Sequence, residues 1–221
     1  MKYKLNNFYN EDCLEAMKKM PDKYFDLAIV DPPYGIGIDG QKESISKNPR
    51  HSRKGHVQKD WDSGIPDKDY FQELERVSKN QIIWGGNYFV PHLDKGKKGW
   101  IVWDKGQHGL TMSDAELAFS SFQKPTRVKV INRVELLIEG TIHPTQKPVK
   151  LYKWLLTNYA EEGDLILDTH VGSASSLIAC YDLGFDAVGF ELDEDYYNES
   201  KQRLESFMRQ VSIFDLVKES K

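Results

Sequence analysis

Short apolar runs alternate with longer amphipathic stretches along most of this chain. Phe25-Asp26-Leu27-Ala28-Ile29-Val30 is nearly continuous in apolar residues and reads as a strand buried on both faces. Gln81-Ile82-Ile83-Trp84, Trp100-Ile101-Val102-Trp103, Leu165-Ile166-Leu167-Asp168 and Ala187-Val188-Gly189-Phe190-Glu191 repeat the pattern. Between these runs the period changes to that of a helix. Residues 68–78 put Tyr70, Phe71, Leu74 and Val77 on one face, and residues 149–159 do the same with Leu151, Trp154, Leu155 and Tyr159. Residues 173–183 open with small hydroxylated side chains and stop before Gly184, and residues 194–208 form a terminal amphipathic helix. Strands alternating with helices predict an α/β fold with a mostly parallel sheet and helices on both faces.

Two segments break the rhythm. Residues 36–67 show no clear period and form a basic loop, expected to be mobile; from Lys42 to Lys59 they hold Lys42, Lys47, Arg50, Arg53, Lys54 and Lys59 against the single acid Glu43. A loop of that length inside a compact domain is functional or disordered. Residues 110–140 alternate apolar and polar positions, as in Arg127-Val128-Lys129-Val130-Ile131, and predict antiparallel strands near one sheet edge.

Composition narrows the class. The 221 residues fit a single domain, and no apolar run is long enough to span a bilayer. The N-terminus turns polar where a secretory signal would carry its apolar stretch, and the two cysteines, Cys13 and Cys180, form no paired motif. A reducing, cytoplasmic setting is expected, with neither a disulfide framework nor a zinc site. The net charge of −4 divides unevenly: residues 1–153 carry +5 and residues 154–221 carry −9. A polyanion would favour the first part.

Asp31-Pro32-Pro33-Tyr34 follows directly on the first strand, where an open α/β sheet places its ligands. The four residues suit work on an exocyclic amine of a base. Such a nitrogen is a poor nucleophile because its lone pair is delocalised into the ring. A carboxylate and a backbone carbonyl accepting its two hydrogens would draw it toward tetrahedral geometry. Neither proline nitrogen carries a competing N–H, and a neighbouring aromatic ring can stack on the base.

The tetrapeptide resembles the (D/N/S)PP(Y/F/W) signature of the amino-type DNA methyltransferases. DPPY is typical of members acting on N6 of adenine, and SPPY is commoner among those acting on N4 of cytosine. His143-Pro144-Thr145-Gln146-Lys147-Pro148 resembles the HPT(Q/E)KP block of the class called β, and Asp168-Thr169-His170-Val171-Gly172-Ser173-Ala174-Ser175-Ser176 is similar to the family's cofactor loop, commonly DPFxGSGTT. The blocks stand in β-class order. The resemblance implies a Rossmann-like fold dependent on S-adenosylmethionine, with a seven-stranded, mostly parallel sheet carrying an antiparallel edge, in one domain spanning residues 1–221.

The same resemblance assigns roles. Asp31, Pro32, Pro33 and Tyr34 would be catalytic, Tyr34 by stacking on a flipped-out base and Asp31 also by lying near the cofactor's positive charge. Asp168, Val171, Gly172, Ser173 and Ala174 would cradle the cofactor's methionine part, with Thr145, Gln146 and Lys147 closing over it and Lys147 pairing with its carboxylate. Glu191, followed by Leu192, would take the ribose hydroxyls, and Asp12 and Cys13 the adenine edge. Thr169, His170 and Ala174 depart from the family loop, and the methyl of Ala174 is expected to crowd the cofactor. Methyl transfer from a sulfonium requires no metal, and no cluster has metal-ligand spacing.

DNA is the expected partner. Lys47, Arg50, Arg53, Lys54 and Lys59 in the basic loop, and Lys124, Arg127 and Lys129 farther on, are the candidate phosphate contacts. A base inside a duplex must be flipped out before its amine can react. The interval available for target recognition, residues 105–140, is short, so recognition is small or shared; β-class members are often dimers, and a homodimer is an expected assembly. The alternatives are action on cytosine N4, action on RNA, and a cofactor- or DNA-binding subunit without catalysis.

Overall fold

The structure is a computed structural model that describes residues 3–40, 55, 59–93, 99–109, 113–132, 135 and 140–219, with the side chains of 211–219 excepted. Eight strands form one sheet: β1 (Asn7–Tyr9), β2 (Phe25–Val30), β3 (Ser78–Trp84), β4 (Trp100–Asp104), β5 (Ala115–Ser120), β6 (Arg127–Val130), β7 (Leu165–Asp168) and β8 (Asp186–Phe190). Among the described residues five α-helices accompany them: α1 (Cys13–Met17), α2 (Lys68–Val77), α3 (Val149–Tyr159), α4 (Ser175–Leu183) and α5 (Glu194–Glu219).

Across the sheet the order is β1-β8-β7-β2-β3-β5-β4-β6. Only β5 runs against its neighbours, pairing antiparallel with both β3 and β4. The expected α/β architecture is therefore present, with two differences. There are eight strands, because β6 adds to the edge. The antiparallel strand also lies inside the sheet, since β6 pairs parallel with β4.

Period-two alternation divides the core between the two faces, which is why a continuous apolar strand is needed in the middle. Leu27 and Ile29 of β2, Ile82 and Trp84 of β3 and Ile166 of β7 pack with Leu151 and Leu155 of α3 and Leu177 and Ile178 of α4. Ala28 and Val30, Ile83 and Leu167 face the other way, onto Ala16 and Met17 of α1 and Tyr70, Phe71, Leu74 and Val77 of α2. Among the described residues no helix is long and apolar enough to cross a membrane.

One feature of the order positions the site. From β2 the chain passes through α2 to β3 on one side; from β7 it passes through α4 to β8 on the other. β2 and β7 lie next to each other and parallel, with Leu27 opposite Ile166 and Ala28 opposite Leu167. Their carboxyl ends open side by side, and the connections leaving in opposite directions create a crevice there.

Replacing Leu151, fully buried in α3, by Ala should cost about 2–5 kcal/mol in urea denaturation. Val128→Thr on the outer strand, at a side chain 60% exposed, should change stability by no more than about 0.5 kcal/mol. Equal losses would mean that the core is misplaced.

Candidate active site

At the paired ends of β2 and β7 lies a cleft of about 410 Å³, a size within the range usual for cofactor sites. Its walls come from both halves of the chain. Asp31 and Pro33 follow β2, Thr169 to Ser173 follow β7, Glu191 and Leu192 follow β8, and Asp12 and Cys13 open α1. Thr145, Gln146 and Lys147 supply another wall. Most of the residues expected at a cofactor or reaction site therefore meet in one place.

Asp31 sits at the centre of an ionic chain. Its Oδ1 accepts from the Tyr34 hydroxyl at 2.6 Å, and its Oδ2 lies 2.5 Å from the Lys147 ammonium. Lys147, whose side chain is 1% exposed, reaches Glu116 of β5 at 3.0 Å, and Glu116 in turn pairs with Lys105 at 2.7 Å. Two acids thus alternate with two bases through a desolvated region, where an unpaired charge would be costly. Burial pushes the Asp31 carboxyl above the usual carboxylate range; Lys147 opposes that shift and Glu116 adds to it. Burial also works against the Lys147 charge, yet the two carboxylates hold its ammonium above the ordinary lysine value. Lys147 is therefore cationic and already paired with Asp31. Among the described residues its anionic partners are Asp31 and Glu116.

Tyr34 also differs from expectation. Its hydroxyl is bound to Asp31 and its ring stacks on Tyr88, with centroids 5.0 Å apart and planes inclined by 15°. Gly85 packs against the ring as well, because a Cβ there would fall 2.2 Å from ring Cε1. The Tyr34 ring is thus part of a Tyr34–Tyr88 stack, and Tyr88 carried no signal in sequence because it lies in a turn without periodicity.

The loop after β7 shows which of its departures matter. Gly172 has φ of +53°, and a Cβ built on it would meet nothing nearer than 3.9 Å, so its backbone borders open cleft that a side chain would fill. This is the cradle expected for a cofactor. Its N–H donates to Glu191 Oε2 at 2.8 Å, while Glu191 Oε1 accepts from the Asp193 N–H at 2.9 Å. Ala174 is left-handed too (φ 60°) but is fully buried in the core, so its methyl does not line the cleft and the expected crowding does not arise. Asp168 likewise lies beneath the cleft, binding the Ser176 hydroxyl and the His170 N–H. It shapes the loop from below. Burial raises its carboxyl to about 7. Thr169 bonds the Tyr70 hydroxyl at 2.7 Å and His170 Nδ1 at 2.9 Å, and burial lowers the His170 imidazole to about 4, so that ring is neutral near pH 7.

Other expected residues have structural partners. Asp12 caps α1 by accepting from the Glu15 N–H at 3.0 Å, and burial pushes the Cys13 thiol up to about 12, which leaves no thiolate near neutral pH. Gln146 is buried, accepts from the Ile142 N–H at 3.1 Å and donates to the Gly140 carbonyl at 2.8 Å, so it holds its own loop. Thr145 bonds His143 through its hydroxyl at 3.1 Å. His143, Trp61 and Tyr196 form an aromatic cluster on the cleft wall, His143 lying 5.1 Å from Trp61 and 4.4 Å from Tyr196.

The candidate phosphate contacts separate into three groups. Lys47, Arg50, Arg53 and Lys54 lie outside the described residues. Lys59 lines the cleft and is engaged by Asp193 at 2.7 Å and Asp195 at 2.6 Å, a local neutralisation that weakens its pull on a phosphate. Lys124 donates to the Asn158 carbonyl at 2.8 Å and lies over the Tyr159 ring, Arg127 is exposed at the start of β6, and Lys129 stands opposite Trp103 on that strand. Among the described residues no group of His, Cys, Asp or Glu is arranged to hold a metal ion.

A model of the N6/N4 DNA methylase family matches residues 68–202, well over half the chain. The chain belongs to that family. It is similar to the Type II methyltransferase M.HpaI of Haemophilus parainfluenzae, with 24% identity covering 88% of this chain and 73% of the relative. The fold matches that of M1.HpyAVI in complex with SAM, with a TM-score of 0.57 at 20% identity, covering 89% of this chain and 98% of that one. It also matches the cytosine-N4-specific PvuII DNA methyltransferase, with a TM-score of 0.58 at 12% identity, covering 93% of this chain and 92% of that one.

Two outcomes test this DNA methylase site. Asp168 has a folded-state value above its unfolded one of about 3.9. Its contribution to stability is therefore full below that value and is lost as pH rises through about 7. Asp168→Asn should then raise the melting temperature more at pH 8 than at pH 5; an equal change at both would place the titration elsewhere. Lys147→Met removes the charge that lowers the Asp31 carboxyl, so the acid limb of any activity dependent on ionised Asp31 should move to higher pH. An unmoved limb in a folded variant would separate Asp31 from the reaction.

Proposed function

We propose that the chain transfers a methyl group from S-adenosylmethionine to the N6 amine of a flipped-out adenine in DNA. The carrying observation is that Asp31 and Pro33 border the same cleft as Gly172, Ser173 and Glu191. The M1.HpyAVI–SAM complex, a fold neighbour, supports the cofactor, and the family and M.HpaI support DNA as substrate and a place in restriction-modification. The DPPY form of the tetrapeptide favours adenine. The fold likeness to a cytosine-N4-specific enzyme keeps N4 of cytosine as the second reading.

The residues fit the cofactor: Gly172 offers the open backbone, Glu191 at the end of β8 is the acid for ribose hydroxyls, and Trp61, His143 and Tyr196 supply aromatic surface. When bound, the cofactor supplies an electrophilic methyl on a sulfonium. The chain does the rest. Both Asp31 oxygens are already engaged, by Tyr34 and by Lys147. An entering amine takes the place of one of these donors, gives one hydrogen to Asp31 and the other to the Pro32 carbonyl, and is held for in-line attack. Lys147 opposes the rise that burial imposes on the Asp31 carboxyl; Asp31 need not be a strong base, because the methylated ammonium is itself acidic. Residues 36–67 and 105–140 would meet the duplex, and a pair of copies sharing one duplex would extend so short a recognition region.

Unmethylated genomic DNA treated with the protein and S-adenosylmethionine should yield N6-methyladenine on nucleoside mass spectrometry. Asp31→Ala should reduce the yield at least about a hundredfold while cofactor affinity stays near that of the parent. N4-methylcytosine would establish the second reading, and full activity in Asp31→Ala would remove the proposed site.

A further inference from the structure

We infer that Asp62 is a positioning residue for the reaction, one that sets the Asp31–Tyr34 turn from the far end of the basic loop. The inference rests on the function proposed above. Asp62 is 1% exposed. Its Oδ1 accepts from the N–H groups of Tyr34 at 2.7 Å and Gly35 at 2.8 Å, and its Oδ2 from those of Ile36 at 3.2 Å and Ile38 at 2.9 Å. The Gly37 N–H donates to the Asp62 backbone carbonyl at 3.2 Å. The five consecutive amides of residues 34–38 thus converge on a single residue far along the chain, four on its carboxylate and one on its carbonyl; without the carboxylate the turn after two prolines would have four donors to satisfy.

The neighbours of Asp62 tie the same short segment to the remaining walls. Lys59 pairs with Asp193 and Asp195 at the start of α5, and Trp61 packs on His143, two residues before Thr145 in the loop that leads to α3. Residues 59–62 therefore touch the turn after β2, the loop before α3 and the region after β8. Asp62 is the member that reaches the catalytic turn. It touches no reacting atom: it fixes the backbone of Tyr34, whose hydroxyl is bonded to Asp31. A shift of that turn moves the carboxylate and the carbonyl that receive the amine, while the cofactor cradle on β7 and β8 stays in place. The cost should therefore fall on the chemical step.

Asp62→Asn is the informative change, because it keeps the shape and replaces one accepting oxygen with a donor that faces two N–H groups. The experiment compares parent, Asp62→Asn and Asp31→Ala for single-turnover methylation of unmethylated genomic DNA, S-adenosylmethionine affinity by calorimetry, and melting temperature. Asp62→Asn should fold, keep its cofactor affinity within about threefold, and lose about tenfold to a hundredfold in single-turnover rate. Asp62→Glu, which retains two acceptors, should recover part of that loss. A folded Asp62→Asn with the parent rate would overturn the inference, as would a loss matched by weakened cofactor binding. If Asp62→Asn does not fold, Asp62→Ser, which keeps a single acceptor, takes its place: a parent-like rate overturns the inference, and a slowed rate with unchanged cofactor affinity supports it. An active Asp31→Ala would instead remove the underlying function, so the two failures are distinguishable.

Discussion

The parallel pairing of β2 with β7 is the constraint on which the site depends. The two strands belong to opposite halves of the chain and are held in register through Leu27–Ile166 and Ala28–Leu167. Because their chains leave in opposite directions, a crevice opens between their ends. The turn after β2 carries the acid and the prolines; the loop after β7 carries the glycine that leaves room for a ligand. Apolar packing on both faces of the sheet keeps the pairing fixed, and the chemistry is confined to the few residues beyond it.

Electrostatics then decides what those residues can do. Asp31, Lys147, Glu116 and Lys105 alternate in sign within a desolvated region, and each charge has a partner. No member is free to change without its neighbours. The arrangement makes Asp31 a pre-engaged group whose burial-driven rise is opposed by Lys147, while Glu116 prevents that lysine from belonging to Asp31 alone. A buried network of this kind is a weak source of stability but a good source of orientation.

Much of this was legible in the sequence. The continuous apolar runs located β2, β3, β4, β7 and β8, and the helical periods located α2, α3 and α4, because burial on two faces and on one stripe leaves distinct patterns. DPPY and the loop at 168–176 pointed to the same place, since both directly follow such runs. The missing parts depend on contacts distant in sequence. Glu116 is one polar position in an alternating strand, and nothing local says that it faces Lys147. Asp62 lies in an aperiodic loop and acts on amides 24 to 28 residues before it. The depth of Asp168 was not legible because a motif gives the identity of an acid but not its burial, and the pairing of Lys59 was not legible because its partners, Asp193 and Asp195, lie at the other end of the chain.

A crystal structure of the protein with S-adenosylmethionine tests the central claim most directly. The account predicts the ribose beside Glu191, the methionine part along Gly172 and Ser173, and the sulfonium methyl turned toward Asp31 and Pro32. A cofactor seated outside this cleft, or one whose methyl faces away from the turn after β2, would contradict it.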